Sequence, residues 1–375
     1  MKRIVVGIFA VVGSIVLGAS SCQPPPPPPP TDLTYSLLSL GAGDTTGADV
    51  LGNDDVLTSA ISADGNVIAF ATLSTNVIPG DPRPGLFLRD QSTGEVTRLG
   101  GDVNLSGFNF GPSADGRFVT YVTREPLSPS SDITVHDRET GTTRSFVRQY
   151  GSSIMPVVSA DGSSLIFGIN SSPYSWYPNC EVVDIATGSS DACELGGTDR
   201  VPGQIGAVSS NGRFVVNRWT SADGAESGFA LWDRDTGTVQ DLPAYGQVMA
   251  ISDDGRYLNM LDFDGAGQVH TDTGAIERPP AAAGDDTAPV AMSRDGRYVQ
   301  LTPPPGTAGT HTFRWDTQTD VVEDLGEFTS GAFVPAPVCS FNLVTDDGGV
   351  CVNTPDPLDP IDDNAKTDSY LVTID

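Results

Sequence analysis

The sequence predicts an all-β fold, a seven-bladed β-propeller. Three observations lead there: a turn motif that recurs seven times, a second turn motif that follows it in almost every unit, and a repeat unit split between the two chain ends. Glycine (42 residues) and proline (29) are abundant in the 375-residue chain, and long helical patterns are absent. That composition favours many short strands joined by tight turns.

The first motif is clearest in unit one, Thr58 to Gly100. This stretch holds a turn at Asp64-Gly65, an apolar run from Val67 to Ala71, a polar loop with three prolines, a second apolar run at Leu86 to Leu88, and a turn from Asp90 to Gly94. It reads as four short strands. The turn recurs as Ser113-Ala-Asp115-Gly116, Ser159-Ala-Asp161-Gly162, Ser209-Ser-Asn211-Gly212, Ser252-Asp-Asp254-Gly255, Ser293-Arg-Asp295-Gly296 and, more loosely, Thr345-Asp-Asp347-Gly348. Successive glycines lie 51, 46, 50, 43, 41 and 52 residues apart, a period that signals a propeller or a solenoid. Asp-Gly and Asn-Gly supply the positive φ a tight hairpin needs.

The second motif reads Asp90-Gln-Ser-Thr-Gly94, Asp137-Arg-Glu-Thr-Gly141, Asp184-Ile-Ala-Thr-Gly188 and Asp233-Arg-Asp-Thr-Gly237. His270 replaces the aspartate before Gly274, and Asp320 replaces the glycine after Asp316. Aspartates that recur in this way are expected to accept hydrogen bonds from turn N–H groups rather than to catalyse.

The seventh unit ends one strand short. Its strands fall near Val338 to Leu343, Val350 to Asn353 and Tyr370 to Asp375, where the chain stops. Thr34 to Gly41, at the other terminus, is the candidate for the missing strand. A strand from the N-terminus completing the last blade closes a ring and removes two sheet edges. An open solenoid has no reason to divide a repeat in this manner.

Ser-Ala-Asp-Gly, then alternating apolar residues to Phe70, then Leu-Phe-Leu-Arg-Asp and Thr-Gly, resembles the WD-like repeat of TolB-type propellers. The resemblance spans residues 33–375 and is strongest in units one to four. The aromatic ending the second strand holds at Phe70, Tyr121 and Phe167, then gives way to Asn217, Met260, Leu301 and Asn353. TolB carries an α/β domain before its propeller. None fits between Cys22 and Leu33, so TolB's particular partner is not carried over.

Residues 1–21 read as an export signal: Lys2 and Arg3 precede an apolar stretch from Ile4 to Gly18. That stretch falls short of the ~20 residues a membrane-spanning helix needs. Ala19-Ser20-Ser21-Cys22 resembles the lipobox of bacterial lipoproteins, which implies diacylation of Cys22. Ala19 stands where leucine is commonest, and Ala-Ser-Ser also suits an ordinary secretory peptidase. Residues 22–32 include seven prolines, Pro24 to Pro30. They form a polyproline II spacer of about 20 Å at ~3.1 Å per residue. The expected address is a bacterial cell membrane or outer membrane, facing periplasm or exterior.

Formal net charge is −28, and loss of Lys2 and Arg3 on cleavage would take it to −30. Such a field repels phosphate backbones, which argues against nucleic acid as a partner. It leaves contact with the membrane to the lipid anchor.

Four further cysteines fall in two pairs. Cys180 and Cys193 flank the second turn of blade three; Cys339 and Cys351 flank the first turn of blade seven. Each pair lies within one hairpin, which suits cross-strand disulfides in an exported protein. A metal site is the competing reading, but neither spacing comes with a histidine pair or a CxxC.

The turns between first and second strands, and between third and fourth, share one face. That face is short and repetitive, whereas the other carries variable loops, where binding usually resides. The blade-three loop holds Tyr174, Trp176 and Tyr177, a candidate anchor for a protein or a sugar, or a cap on the blade's own core. The last loop holds Asp359, Asp362 and Asp363, candidate calcium ligands that lack an EF-hand pattern. No other cofactor is expected. No catalytic residue emerges: His136, His270 and His311 lie at or near the third strands of different blades, and no Gly-x-Ser-x-Gly elbow occurs. The expected partner is an envelope protein or a glycan. The leading expectation is a non-catalytic binding scaffold; the alternative is a carbohydrate-binding or carbohydrate-active propeller.

Overall fold

The strands follow directly from the repeat. The computed structural model describes residues 33–42, 50–100, 110–123, 131–148, 154–169, 179–243, 246–280, 287–302, 311–329 and 344–374. The chain begins with β1 (Leu33–Leu37). Blade one contains β2 (Val56–Ile61), β3 (Val67–Thr72), β4 (Gly85–Asp90) and β5 (Val96–Gly100). Blade two contains β6 (Phe110–Pro112), β7 (Phe118–Thr123), β8 (Ser131–Asp137) and β9 (Thr142–Arg148). Blade three contains β10 (Ile154–Val158), β11 (Ser164–Ile169), β12 (Asn179–Asp184) and β13 (Ser190–Ala192). Blade four contains β14 (Arg200–Val208), β15 (Phe214–Ser221), β16 (Ser227–Asp233) and β17 (Thr238–Leu242). Blade five contains β18 (Gln247–Ile251), β19 (Tyr257–Asp262), β20 (Gly265–His270) and β21 (Ile276–Glu277). Blade six contains β22 (Ala288–Met292), β23 (Tyr298–Thr302), β24 (His311–Asp316) and β25 (Val321–Glu327). Blade seven contains β26 (Val350–Thr354) and β27 (Asp368–Ile374).

Six sheets are four-stranded meanders in chain order, and the seventh runs β1-β27-β26. The N-terminal strand therefore completes the last blade, as its sequence suggested. Leu33 pairs with Ile374 and Leu37 with Tyr370, antiparallel. Beyond β1 the closure continues: the Leu38 N–H donates to the Ser369 carbonyl at 2.7 Å. From blade one, Arg89 Nη1 donates to the carbonyls of Leu40 and Gly41, and Gln91 Nε2 to that of Leu38. The expected first strand of blade seven, near Val338 to Leu343, lies outside the described residues.

The hydrophobic core is divided among the seams between blades. Ala60, Val67 and Leu86 of blade one meet Phe110 and Val119 of blade two. Phe118 and Ile133 meet Leu165 and Phe167 of blade three. A blade covered on both faces explains why β3 is buried at all six positions instead of alternating. The first turn also sets the spacing of neighbouring blades. Gly162 has φ +69°, and a Cβ built there would lie 2.2 Å from the Phe118 ring of blade two. The glycine thus serves the turn and makes room for the preceding blade's aromatic.

The turn motifs work through their side chains. Ser62 Oγ donates to Asp64 Oδ1 at 2.5 Å and accepts from the Val67 N–H at 2.9 Å, and Asp64 Oδ1 also accepts from the Asn66 N–H. Ser113, Ser159, Ser209, Ser252 and Ser293 repeat the bond to the residue two positions on. At the second turn, Asp90 Oδ1 accepts from the N–H groups of Ser92 and Thr93. Asp320, in the glycine position, has φ 55°. The recurring aspartates are turn residues.

A further regularity ties the two turns of a blade together. The arginine after the first-turn glycine pairs with the aspartate that opens the second turn of its own blade: Arg117–Asp137 at 2.9 Å, Arg213–Asp233 at 2.7 Å and Arg297–Asp316 at 2.7 Å. These arginines hold Asp137 and Asp233 at about 2, with turn N–H groups adding to the effect. Arg138 links blades two and one through Asp90 at 2.6 Å. Burial works to raise Asp90, but bonds from Ser92, Arg138 and Thr93 outweigh it and leave the carboxyl at about 2.

Candidate functional site on the loop face

The acidic turns of the repetitive face are occupied by their own hydrogen bonds and arginines, so the opposite face is where free chemistry can be presented. Its best-described part is the seam between blades seven and one. There the loop from β26 to β27 meets the segment before β2.

The loop is stitched down by the polar residues its sequence offers. Asn364 Nδ2 donates to the Gly52 carbonyl at 2.8 Å, Lys366 Nζ lies 3.1 Å from Asp54 Oδ1, and the Thr367 N–H donates to Asp55 Oδ1 at 2.8 Å. Asp356 accepts from the Thr329 N–H at 2.6 Å and so ties the loop to blade six. The candidate calcium ligands serve different ends. Asp359 Oδ1 accepts from the Ile361 N–H at 3.0 Å, Asp362 accepts from the Tyr370 hydroxyl, and Asp363 is exposed. Among the described residues no group of three or more histidine, cysteine, aspartate or glutamate side chains is placed to hold a metal ion.

Beneath the loop lies a buried carboxyl, the last of the aspartates that crowd this part of the sequence. Asp368, at the start of β27, is 1% exposed. Its Oδ1 accepts from Ser39 Oγ at 2.7 Å, and Ser39 Oγ accepts in turn from the Ser369 N–H at 3.0 Å. Its Oδ2 is buried with no hydrogen-bond partner. Burial, then the charges of Asp362 and Asp55, push Asp368 up to about 6. Burial, with the bond to Asp362, also pushes the Tyr370 hydroxyl upward. Deeper in the seam, Ser59 Oγ and Ser369 Oγ both donate to Asn353 Oδ1, at 2.9 and 2.7 Å. Asn353 stands where units one to three have an aromatic. That break in the repeat was the signal for this polar link between the last and first blades.

Apolar side chains are also presented on this face. Phe263 sits fully exposed at the tip of the β19–β20 hairpin, and Ile361 of the last loop is 47% exposed. Val201, near the loop-face end of β14, is 51% exposed. Tyr174, Trp176 and Tyr177 lie outside the described residues.

Cys180 and Cys193 form a disulfide with Cα atoms 5.3 Å apart, both cysteines buried in the seam between blades three and four. A structural disulfide belongs to an oxidising compartment, which fits an exported protein. Cys351 is fully buried, while Cys339 and Cys22 lie outside the described residues. No helix among the described residues is long and apolar enough to cross a membrane.

The architecture is that of a seven-bladed β-propeller. The chain matches no protein-family model and no curated protein. It is similar to the solved structure of oligogalacturonate lyase from Vibrio parahaemolyticus, at 16% identity and TM-score 0.55, covering 91% of this chain and 97% of that one. It is also similar to a prolyl endopeptidase, at 12% identity and TM-score 0.54, covering 86% of this chain and 50% of that one. TolB from Acinetobacter baumannii matches at 13% identity and TM-score 0.44, over 84% of this chain and 79% of TolB. At these identities the likeness is one of fold.

Proposed function

We propose that this chain is an exported, lipid-anchored propeller acting as a non-catalytic scaffold that docks an envelope protein through its loop face. The observation that carries the reading is Phe263, a fully exposed aromatic at a hairpin tip, on the same face as exposed Ile361 and Val201. Large apolar side chains held out from a rigid frame are the anchors from which protein interfaces draw most of their energy. The repetitive face offers acidic turns already paired internally. Cys22 and the polyproline segment supply the tether, and export places the ring beside envelope partners.

The test is capture from envelope extract by the immobilised protein, compared with a Phe263→Ser variant and with a variant whose Tyr174 to Tyr177 segment is replaced by Gly-Ser. One protein retained stoichiometrically by the native chain and released by either variant supports the scaffold. Equal retention by all three removes the loop face from the proposal.

The alternative is a carbohydrate-binding or carbohydrate-active propeller. It draws on the near full-length likeness to the oligogalacturonate lyase and on Tyr174, Trp176 and Tyr177 as sugar-stacking residues. Binding or turnover of acidic polysaccharides, with no protein captured, would favour it.

A further inference from the structure

The outer edge of blade six carries a histidine arranged as metal-binding histidines are. His311 opens β24 and lies opposite Glu327 at the end of β25. Asp324 and Glu327 are three residues apart, so a regular strand would point them to opposite faces. A bulge intervenes: Thr312 pairs with Gly326 but Phe313 with Asp324, and Gly326 has φ 111°. The extra residue brings both carboxylates to the imidazole, and bulges often re-aim side chains in this way.

His311 Nδ1 lies 3.1 Å from each carboxylate oxygen of Asp324, which is 3% exposed. Asp324 Oδ1 also accepts from the Gly326 N–H at 2.9 Å, which fixes the carboxylate. Facing a carboxylate, Nδ1 carries the hydrogen, and in the neutral ring the Nε2 lone pair is free. Nε2 lies 4.0 Å from Glu327 Oε2. The side chains of His311 and Glu327 are 40% and 59% exposed, so solutes can reach both.

A carboxylate on one imidazole nitrogen and an open second nitrogen is the usual support of a metal ligand. We propose that His311 Nε2 and Glu327 form a two-ligand site for a divalent transition ion such as Zn²⁺, with Asp324 as the positioning residue and water filling the remaining positions. Nitrogen and oxygen each about 2.0–2.2 Å from Zn²⁺ would stand roughly 3.4 Å apart in a tetrahedral site. Closing from 4.0 Å asks only a small swing of the exposed Glu327. Among the described residues, the other histidines do not have two carboxylates within 4.0 Å, one at each ring nitrogen. His270 Nε2 is itself engaged by Glu277 at 3.0 Å, and His136 Nδ1 meets a threonine hydroxyl.

The test is calorimetric titration of the metal-free whole protein with ZnCl₂, compared with His311→Ala, Glu327→Gln, Asp324→Asn and, as control, His270→Ala. Expected are one site in the native protein and in His270→Ala, loss of that site in His311→Ala, and weakening in Glu327→Gln. Asp324→Asn should weaken binding about 10- to 100-fold, as the loss of a histidine's supporting partner does. Co²⁺ absorption reports the nitrogen ligand independently of heat. Zn²⁺ binding unchanged in His311→Ala would assign it to scattered surface carboxylates and overturn the proposal. So would no saturable binding to the native protein at millimolar Zn²⁺.

Discussion

Asp368→Asn should stabilise this protein at neutral pH and leave it nearly unchanged in acid. Asp368 is raised from 3.8 to about 6 because it is buried beneath the closing N-terminal segment near Asp362 and Asp55. A shift of about two units corresponds to roughly 3 kcal/mol. The sign follows from linkage. Well below pH 3.8 the carboxyl is neutral in both folded and unfolded chains and the group contributes nothing adverse. As pH rises from 4 through 6, the unfolded chain ionises freely while the folded one is held back, and the stability is lost. Asparagine keeps an oxygen for the Ser39 hydroxyl and removes the charge. Denaturant unfolding at pH 4, 5, 6 and 7.5 measures this directly. The native protein should lose stability across the range relative to the variant, with a difference approaching ~3 kcal/mol at pH 7.5. A variant destabilised equally at every pH would refute the reasoning, since Asp368 would then matter for its bonds and not for its buried charge.

Three other outcomes are expected. Gly162→Ala should destabilise by roughly 2–4 kcal/mol, combining an unfavourable φ with the Phe118 contact; Gly141→Ala, with φ +67° and open space around it, should show only the backbone part, and thermal melts of both variants give the comparison. Replacing both Cys180 and Cys193 by serine should lower stability by about 3 kcal/mol, on the chain-entropy view of a loop closed over 13 residues; unfolding of the variant beside the native protein measures it. Calcium or EDTA should leave the melting temperature unchanged, because Asp359 and Asp362 are engaged within the loop; a Ca²⁺-induced rise would restore these carboxylates as ligands.

The fold could be read from the chain because its determinants are local. Ser62, Asp64 and Gly65 form a turn within five residues, and the same chemistry recurs in every unit, so the ring and its seam were visible as a pattern. What escaped notice depends on residues far apart. Ser39 and Asp368 are separated by 329 positions, and only closure of the ring turns an ordinary loop aspartate into a buried acid. The Arg117–Asp137 and Arg213–Asp233 pairs recur at the same spacing and were open to inference. The bulge beside Gly326 was not, because Asp324 and Glu327 read as an ordinary acidic strand until the register with His311 is known. Of the aspartates proposed for calcium, Asp359 and Asp362 meet different partners within the loop while Asp363 is exposed, a difference that sequence spacing does not carry.

The most direct test of the scaffold account is hydrogen–deuterium exchange on the protein with and without a captured partner. The account predicts new protection on the loop face, at the hairpin around Phe263 and the loop around Ile361, with the Ser-x-Asp-Gly turns unchanged. Protection confined to those turns, or to the outer strands, would contradict it.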